Sequence, residues 1–244
     1  MKTKLLIISI VIALCLSATP VVAAPHGAGY SGGTAKIGRL SGYYIKGGEF
    51  TIYDDTPGSM LLSNANYADV ARKQDGNAES FQTFCVERWE GLAPTVDIWV
   101  STANVDTTPG SHAYEGGTGI GDDLEPMTAY LYTRFATGTL AALGYDYTPG
   151  PGREADSLAL QNVIWYIEGE FWPGWTPVGQ EKTFYDAAVA AGWTDIKNVL
   201  VMQMNDPLGG EIKQDQIYYI PVPAAVLLGI LGLGVAGIKL RKYT

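Results

Sequence analysis

Two short motifs contain the residues of this chain that could form a covalent bond with each other. Cys85 lies in the segment Phe81-Gln-Thr-Phe-Cys-Val-Glu87, and Gln161 follows 76 residues later in Leu160-Gln-Asn-Val-Ile-Trp165. A thiolate that attacks a glutamine carboxamide can expel ammonia and leave an intramolecular thioester, provided that the two groups are close and shielded from water. The residue types therefore permit a thioester between Cys85 and Gln161.

The cysteine content draws attention to Cys85. The other cysteine of the chain, Cys15, lies in the apolar part of a segment, Met1 to Ala23, that has the pattern of a secretory signal peptide. Removal of that segment would leave one cysteine in an exported protein. Such a residue is explained by an intermolecular disulfide, by a reactive thiol or by an inert buried side chain.

Other kinds of chemistry find little support in the residue types. The two histidines, His26 and His112, lie in glycine-rich stretches, so a Cys-His pair is poorly supported and no zinc ligand set can be assembled. Glu87, Glu90, Glu168 and Glu170 could in principle provide a glycosidase carboxylate pair. We expect no enzyme, no catalytic residue, no metal and no cofactor.

Composition and hydrophobic periodicity predict an α+β fold. The formal net charge of −9 argues against nucleic acid as a ligand, because the phosphate backbone would be repelled. We expect a flexible lead-in over residues 24–36 and a β-rich, sandwich-like domain over 37–220 with a helical insertion over about 124–191. The clearest predicted helix spans Glu154 to Glu170, and Gln161 is expected at the border of its buried face.

The C-terminal segment, residues 221–244, has the pattern of a membrane anchor. Pro221-Val222-Pro223 precedes an apolar, glycine-rich run that ends in Lys239-Leu-Arg-Lys242. The run is at the short limit for a transmembrane helix, and the basic cluster would remain cytoplasmic. This tail resembles a PEP-CTERM sorting signal, although the central glutamate of that family is absent and Val222 stands between the prolines. The resemblance implies a Gram-negative bacterium, recognition of the tail by exosortase-type sorting machinery at the inner membrane, and a location at the cell surface or in the exopolysaccharide matrix.

The two motifs around Cys85 and Gln161 resemble those of bacterial Cys-Gln thioester domains, which are adhesin modules. In that family a cysteine after an aromatic or apolar residue pairs with a glutamine in a Gln-x-x-Ile-Trp helix. The resemblance covers roughly residues 81–170 and implies that Cys85 is the thiol, that Gln161 is the acyl donor and that Trp165 shields the bond. Phe84, Glu87 and Glu168 are further candidates for shielding or supporting residues.

Three functions remain open from the sequence. The first is an exported surface protein that attaches covalently, through the Cys85–Gln161 thioester, to an amine or hydroxyl nucleophile on a partner surface. The second is a structural or carbohydrate-associated protein of the extracellular polysaccharide matrix in which Cys85 is simply buried. The third is a secreted hydrolase that uses paired carboxylates.

Overall fold

The computed structural model describes eight stretches of the chain. They are residues 30–39, 47–53, 67–71, 80–88, 91–92, 94–101, 123–205 and 212–220. The predicted signal peptide and the tail with Pro221, Val222 and Pro223 lie outside the described residues. Within these residues no helix is long and apolar enough to cross a membrane.

Six antiparallel strands in the described part of the chain form one sheet. They are β1 (Tyr30–Arg39), β2 (Phe50–Tyr53), β3 (Ser80–Thr83), β4 (Thr95–Ser101), β5 (Val199–Asn205) and β6 (Ile212–Tyr219), in the order β3-β2-β1-β4-β5-β6. With the helices described below, the sheet confirms the α+β class.

The two edges of this sheet are joined by the residues that follow β3. The N–H of Val86 donates to the carbonyl of Asp215 at 3.0 Å, and the N–H of Ile217 donates to the carbonyl of Phe84 at 3.0 Å. Residues 84–86 therefore continue β3 and pair with β6, so that the sheet closes on itself as a barrel does. Closure gives backbone groups of residues 84–86 and of β6 a partner at this junction. We call this junction the β3–β6 seam.

Two expectations about the β region were wrong. A sandwich has two facing sheets, whereas the described strands form the single sheet that closes at the seam. The first strand begins at Tyr30, inside the predicted lead-in, although its sequence is rich in glycine and alanine. Its ladder bonds to β2 on one side and to β4 on the other explain this, because tertiary pairing overrides a weak local β propensity.

In the described residues between β4 and β5 there are three α-helices. They are α1 (Pro126–Ala136), α2 (Pro151–Ile167) and α3 (Gly179–Ala191), and they occupy the range predicted for the insertion. Proline at the first turn suits the start of α1 and α2, because the missing N–H would have had no intrahelical partner there. Gly192, at φ 59°, ends α3 in the left-handed conformation that favours glycine.

The helices cover the part of the barrel near the seam. Helix α1 contacts β5 and β6, and the Tyr132 hydroxyl of α1 donates to the carbonyl of Gln82 in β3 at 3.1 Å. Phe84 is fully buried, with its ring 4.9 Å from the Phe135 ring in an edge-to-face arrangement. Because α3 packs on both α1 and α2, the three helices form one layer over the seam.

Candidate functional site

Cys85 lies at the middle of the β3–β6 seam. Its side chain is fully buried, and it forms an isolated antiparallel bridge with Gln216 of β6. The two flanking backbone hydrogen bonds, from Val86 and from Ile217, surround this bridge and fix the register of the seam. The position of the sulfur is therefore determined by the sheet and not by a mobile loop.

Helix α2 brings Gln161 to the cysteine. The buried positions of the helix include Arg153, Ser157, Gln161 and Trp165, a spacing of four residues that places all of them on one face. Gln161 is fully buried rather than at the border of the apolar face. Its amide can be buried because the backbone of Cys85 provides the hydrogen-bond partners that water would otherwise supply.

Three hydrogen bonds connect the two residues. The Gln161 Nε2 donates to the carbonyl of Cys85 at 2.7 Å. Its Oε1 accepts from the backbone N–H of Cys85 at 3.2 Å and from the Cys85 Sγ at 3.1 Å. Since the carbonyl carbon lies about 1.23 Å from Oε1, the sulfur is within roughly 4.3 Å of the carbon that it would attack.

Gly47 closes the site from another side. A Cβ atom at this position would lie 2.8 Å from the Trp165 Cη2 and 2.9 Å from the Gln161 Cγ, so a larger residue would not fit. The backbone of Gly47 also has φ +135°, which side chains rarely adopt. Gly47 and Gly48 are both buried. Direct packing of this backbone on Gln161 and Trp165 helps to exclude water from the sulfur.

A buried ion pair anchors the segment that contains Gly47. Glu49 accepts two hydrogen bonds of 2.7 Å from Arg153 of α2, and it also accepts one from the Tyr145 hydroxyl. Burial raises the pKa of Glu49 above its ordinary value, while the Arg153 charge opposes that rise. We refer to residues 47–49 as the glycine strap. The ion pair connects it to the helix that carries Gln161.

The predicted supporting residues have different roles. Trp165 is 3% exposed and lies one turn after Gln161, where it contacts the glycine strap. Phe84 packs on α1, as described above, rather than over the sulfur. Glu87 is buried, and its Oε2 accepts from the N–H of Asp215 at 2.9 Å, which reinforces the seam.

Glu168 lies at the C-terminal end of α2, away from Gln161. It follows the last residue of α2, seven residues beyond Gln161, and its Oε1 accepts from the N–H of Glu125 at 3.4 Å. Seven residues of helix correspond to about 10 Å along the axis, so this carboxylate is too far away for direct proton transfer to the amide. The sequence pattern predicts the helix face on which Glu168 lies, but it does not predict the distance of Glu168 from Gln161 along the helix axis.

A group of aromatic rings continues from Trp165 to the protein surface. The Phe171 and Trp175 rings are stacked with centroids 3.9 Å apart, and the Arg88 guanidinium lies 4.3 Å from the Phe171 centroid and 4.7 Å from that of Trp172. Trp172 is 44% exposed. An indole exposed beside a cation and further rings is a surface on which a sugar or another flat group could stack.

Comparisons of the chain with protein-family models, with curated proteins and with solved structures gave no match. Within the described residues there is also no group of three or more His, Cys, Asp or Glu side chains that could hold a metal ion. His26 and His112 lie outside the described residues. The site is therefore characterised by its own geometry.

Sequence reasoning missed two residues at this site. In the sequence, Gly47 indicates only a hairpin turn, and Gln216 only an ordinary position in the last strand. A Gly-Gly pair indicates an unusual backbone conformation. It does not indicate which distant side chains pack against the glycine and leave no room for a larger residue. Gln216 is found only through the register of the seam, which no local pattern encodes.

Proposed function

We propose that this protein attaches covalently to a partner through an internal thioester between Cys85 and Gln161. The observation that carries the proposal is the set of three hydrogen bonds that holds the Gln161 carboxamide against the thiol and backbone of Cys85, at a fully buried position. Proximity and exclusion of water are the two conditions that this chemistry requires.

The bond-forming step is balanced without another reactant. The Cys85 sulfur adds to the Gln161 carbonyl carbon, and the electron pair of the C=O bond moves onto Oε1. The backbone N–H of Cys85, already 3.2 Å from Oε1, stabilises that negative charge as an oxyanion donor does. Collapse breaks the C–N bond, and the nitrogen leaves as ammonia with the proton of the thiol. The products are a thioester and one ammonia.

The thioester then transfers its acyl group to the partner. An amine or hydroxyl attacks the acyl carbon, the C–S bond breaks, and Cys85 recovers its thiol while residue 161 becomes joined to the partner by an amide or ester. Attachment of this kind no longer depends on a dissociation rate. Covalent attachment suits an exported adhesin. We include in the proposal that exosortase-type sorting machinery recognises the C-terminal tail of this adhesin.

Intact mass spectrometry of the full chain tests the proposal. We expect a mass about 17 Da below that calculated from the sequence, with the Cys85→Ala chain, purified in the same way, as the reference for any processing of the ends. Methylamine should remove the deficit and add one methyl group, located at Gln161 by peptide mapping. A full mass before treatment, with Cys85 alkylated completely after denaturation, would show that no thioester forms.

The second candidate is a carbohydrate-associated protein of the extracellular matrix, and the exposed Trp172 beside Arg88 favours it. In that case Cys85 and Gln161 hold the seam to α2 as packing and hydrogen-bonding residues. The same mass measurement separates the candidates, since this one requires no loss of ammonia.

A further inference from the structure

Gln216 is the cross-strand neighbour of Cys85 in the β3–β6 seam. The hydrogen bonds from Val86 to Asp215 and from Ile217 to Phe84 flank the Cys85–Gln216 bridge without joining the two residues themselves. This is the non-hydrogen-bonded type of antiparallel pair, in which the two side chains extend from the same face with Cβ atoms about 4.5–5.5 Å apart. The side chain of Gln216 therefore begins directly beside the thiol.

The carboxamide of Gln216 has an acceptor that the rest of the site does not use. The residue is fully buried, and its Nε2 donates to the carbonyl of Gln214 at 3.3 Å. Its Oε1 is buried and has no hydrogen-bond donor among the described residues. A buried acceptor without a donor is unfavourable, and a leucine or methionine of similar volume would avoid that cost.

Attack by an amine on the proposed thioester would bring N–H groups that need hydrogen-bond acceptors at this place. Before the reaction, the carbonyl of Cys85 accepts from the Gln161 Nε2. Once that nitrogen has left as ammonia, the carbonyl loses this donor, while the Gln216 Oε1 remains a buried acceptor in the side chain that begins beside the thiol. A primary amine that approaches the acyl carbon brings two N–H groups, and the Gln216 Oε1 is the acceptor available beside the sulfur for one of them.

We propose that Gln216 is a specificity-determining residue that selects a primary amine, such as the side chain of a lysine, as the nucleophile. This inference rests on the proposed function. The amine nitrogen forms a C–N bond with the acyl carbon of residue 161, the C–S bond breaks with its electron pair passing to sulfur, and one proton moves from nitrogen to sulfur. The remaining N–H, held by Gln216, keeps the nitrogen lone pair directed at the carbon. A secondary amine would instead place an alkyl group against that oxygen.

The test compares the rates at which methylamine and dimethylamine react with the thioester of the full chain, measured by intact mass. Gln216→Met removes the acceptor at similar volume, and Gln216→Asn keeps the amide but withdraws it by one methylene. We expect both variants to lower the ratio of the methylamine rate to the dimethylamine rate by about tenfold, which is the effect of losing one hydrogen bond in the transition state. Gln216→Glu keeps an acceptor and should preserve the ratio.

Gln82→Met is the matched control, because Gln82 is an equally buried strand glutamine that is held by Thr51 in another part of the sheet. It should leave the ratio unchanged. At least one of the Gln216→Met and Gln216→Asn proteins should carry the thioester. If the ratio of the methylamine rate to the dimethylamine rate is unchanged in that protein, the proposed role of Gln216 is overturned. If neither forms a thioester while Gln216→Glu does, the acceptor is needed for the bond itself and selection of the amine is overturned. Absence of the thioester from the unsubstituted chain would instead refute the proposed function.

Discussion

The Gln161 carboxamide contacts Cys85 as a neighbouring strand would, since it both donates to and accepts from the same backbone. This arrangement holds helix α2 to the seam whether or not a bond forms. It also places the carbonyl carbon next to the sulfur with an N–H already directed at its oxygen. One side chain therefore combines a structural contact with the geometry of an acyl donor.

Replacing the amide of Gln161 separates these two roles. Gln161→Glu removes the ammonia leaving group and places a carboxylate oxygen against the carbonyl of Cys85, so the mass deficit should disappear. The free energy of unfolding should fall by about 1–3 kcal/mol or more, because a buried acceptor loses its donor. Intact mass and urea unfolding measure the two effects. A persistent loss of about 17 Da in this variant would contradict the assignment of Gln161 as the acyl donor.

The residue types predicted this pair better than they predicted its surroundings. Cys85 and Gln161 are identifiable because a thiol and a carboxamide in those two motifs suggest one reaction, and their atoms lie within hydrogen-bonding distance. The depth of burial of Gln161, and the neighbours Gly47 and Gln216, could not be predicted. They depend on how the strap and the seam meet α2 across long sequence separations.

At the level of elements, the glycine strap is the part that fits most closely against the site. Gly47→Ala would place a methyl group against Trp165 and Gln161 and would also force alanine into a positive-φ conformation. We expect a loss of stability of about 1–3 kcal/mol and faster hydrolysis of the thioester, because the strap must move away. Thermal unfolding and the time course of the mass deficit check this.

Gly174→Ala is the control for this prediction. Gly174 has φ +93°, and a Cβ atom added there would meet no other atom within 4 Å, so the variant reproduces the backbone strain without the steric contact. It should leave hydrolysis of the thioester unchanged. Equal hydrolysis rates for the Gly47→Ala and Gly174→Ala proteins would show that the strap does not protect the bond.

The buried ion pair between the strap and α2 leads to a second prediction. Arg153→Met leaves the Glu49 carboxylate buried without its cation, so the free energy of unfolding should fall by about 3–5 kcal/mol. The double variant Glu49→Leu with Arg153→Met removes both charges and should lose less. Urea unfolding of the single and double variants measures the difference. A double variant less stable than Arg153→Met would contradict the view that the unpaired charge is the main cost.

Element prediction succeeded where periodicity was strong and failed where pairing decided the structure. Helix α2 follows from its apolar spacing, although it spans Pro151–Ile167 and not Glu154 to Glu170, because the proline of the preceding loop already occupies its first turn. Strand β1 does not follow from its sequence, because the register shift at Gly33 and the ladders on both sides, not side-chain alternation, define it. Closure of the sheet could not be foreseen either, since residues 84–86 pair with β6 more than 120 positions later.

For the whole molecule, three buried or mostly buried tyrosines predict sensitivity to alkali. Burial raises the pKa of Tyr132, Tyr145 and Tyr147 above the ordinary value near 10. A raised pKa in the folded state means that the full stability is present below pH about 10 and is lost as the pH rises further, because the unfolded chain releases these protons first.

Unfolding of the Cys85→Ala protein between pH 8 and 11 measures this loss without interference from thioester hydrolysis. We expect the free energy of unfolding to fall above pH 10 by up to roughly 1.4 kcal/mol per pH unit for each tyrosine. Tyr132→Phe should make the fall less steep. Constant stability up to pH 11 would contradict the expected coupling between tyrosine ionisation and folding.

The register of the last two strands has a mechanical consequence for the proposed covalent attachment. A partner joined at Gln161 and an anchor following β6 would pull on Val199, where the chain enters β5, and on Tyr219, where it leaves β6. These two residues are paired with each other. Tension would therefore open the β5–β6 hairpin from one end, one pair at a time, instead of shearing the whole ladder at once. Under tension the β5–β6 hairpin would therefore open by unzipping before the covalent attachment breaks. The mechanical work would be dissipated in separating the two strands, and the covalent bond would remain intact.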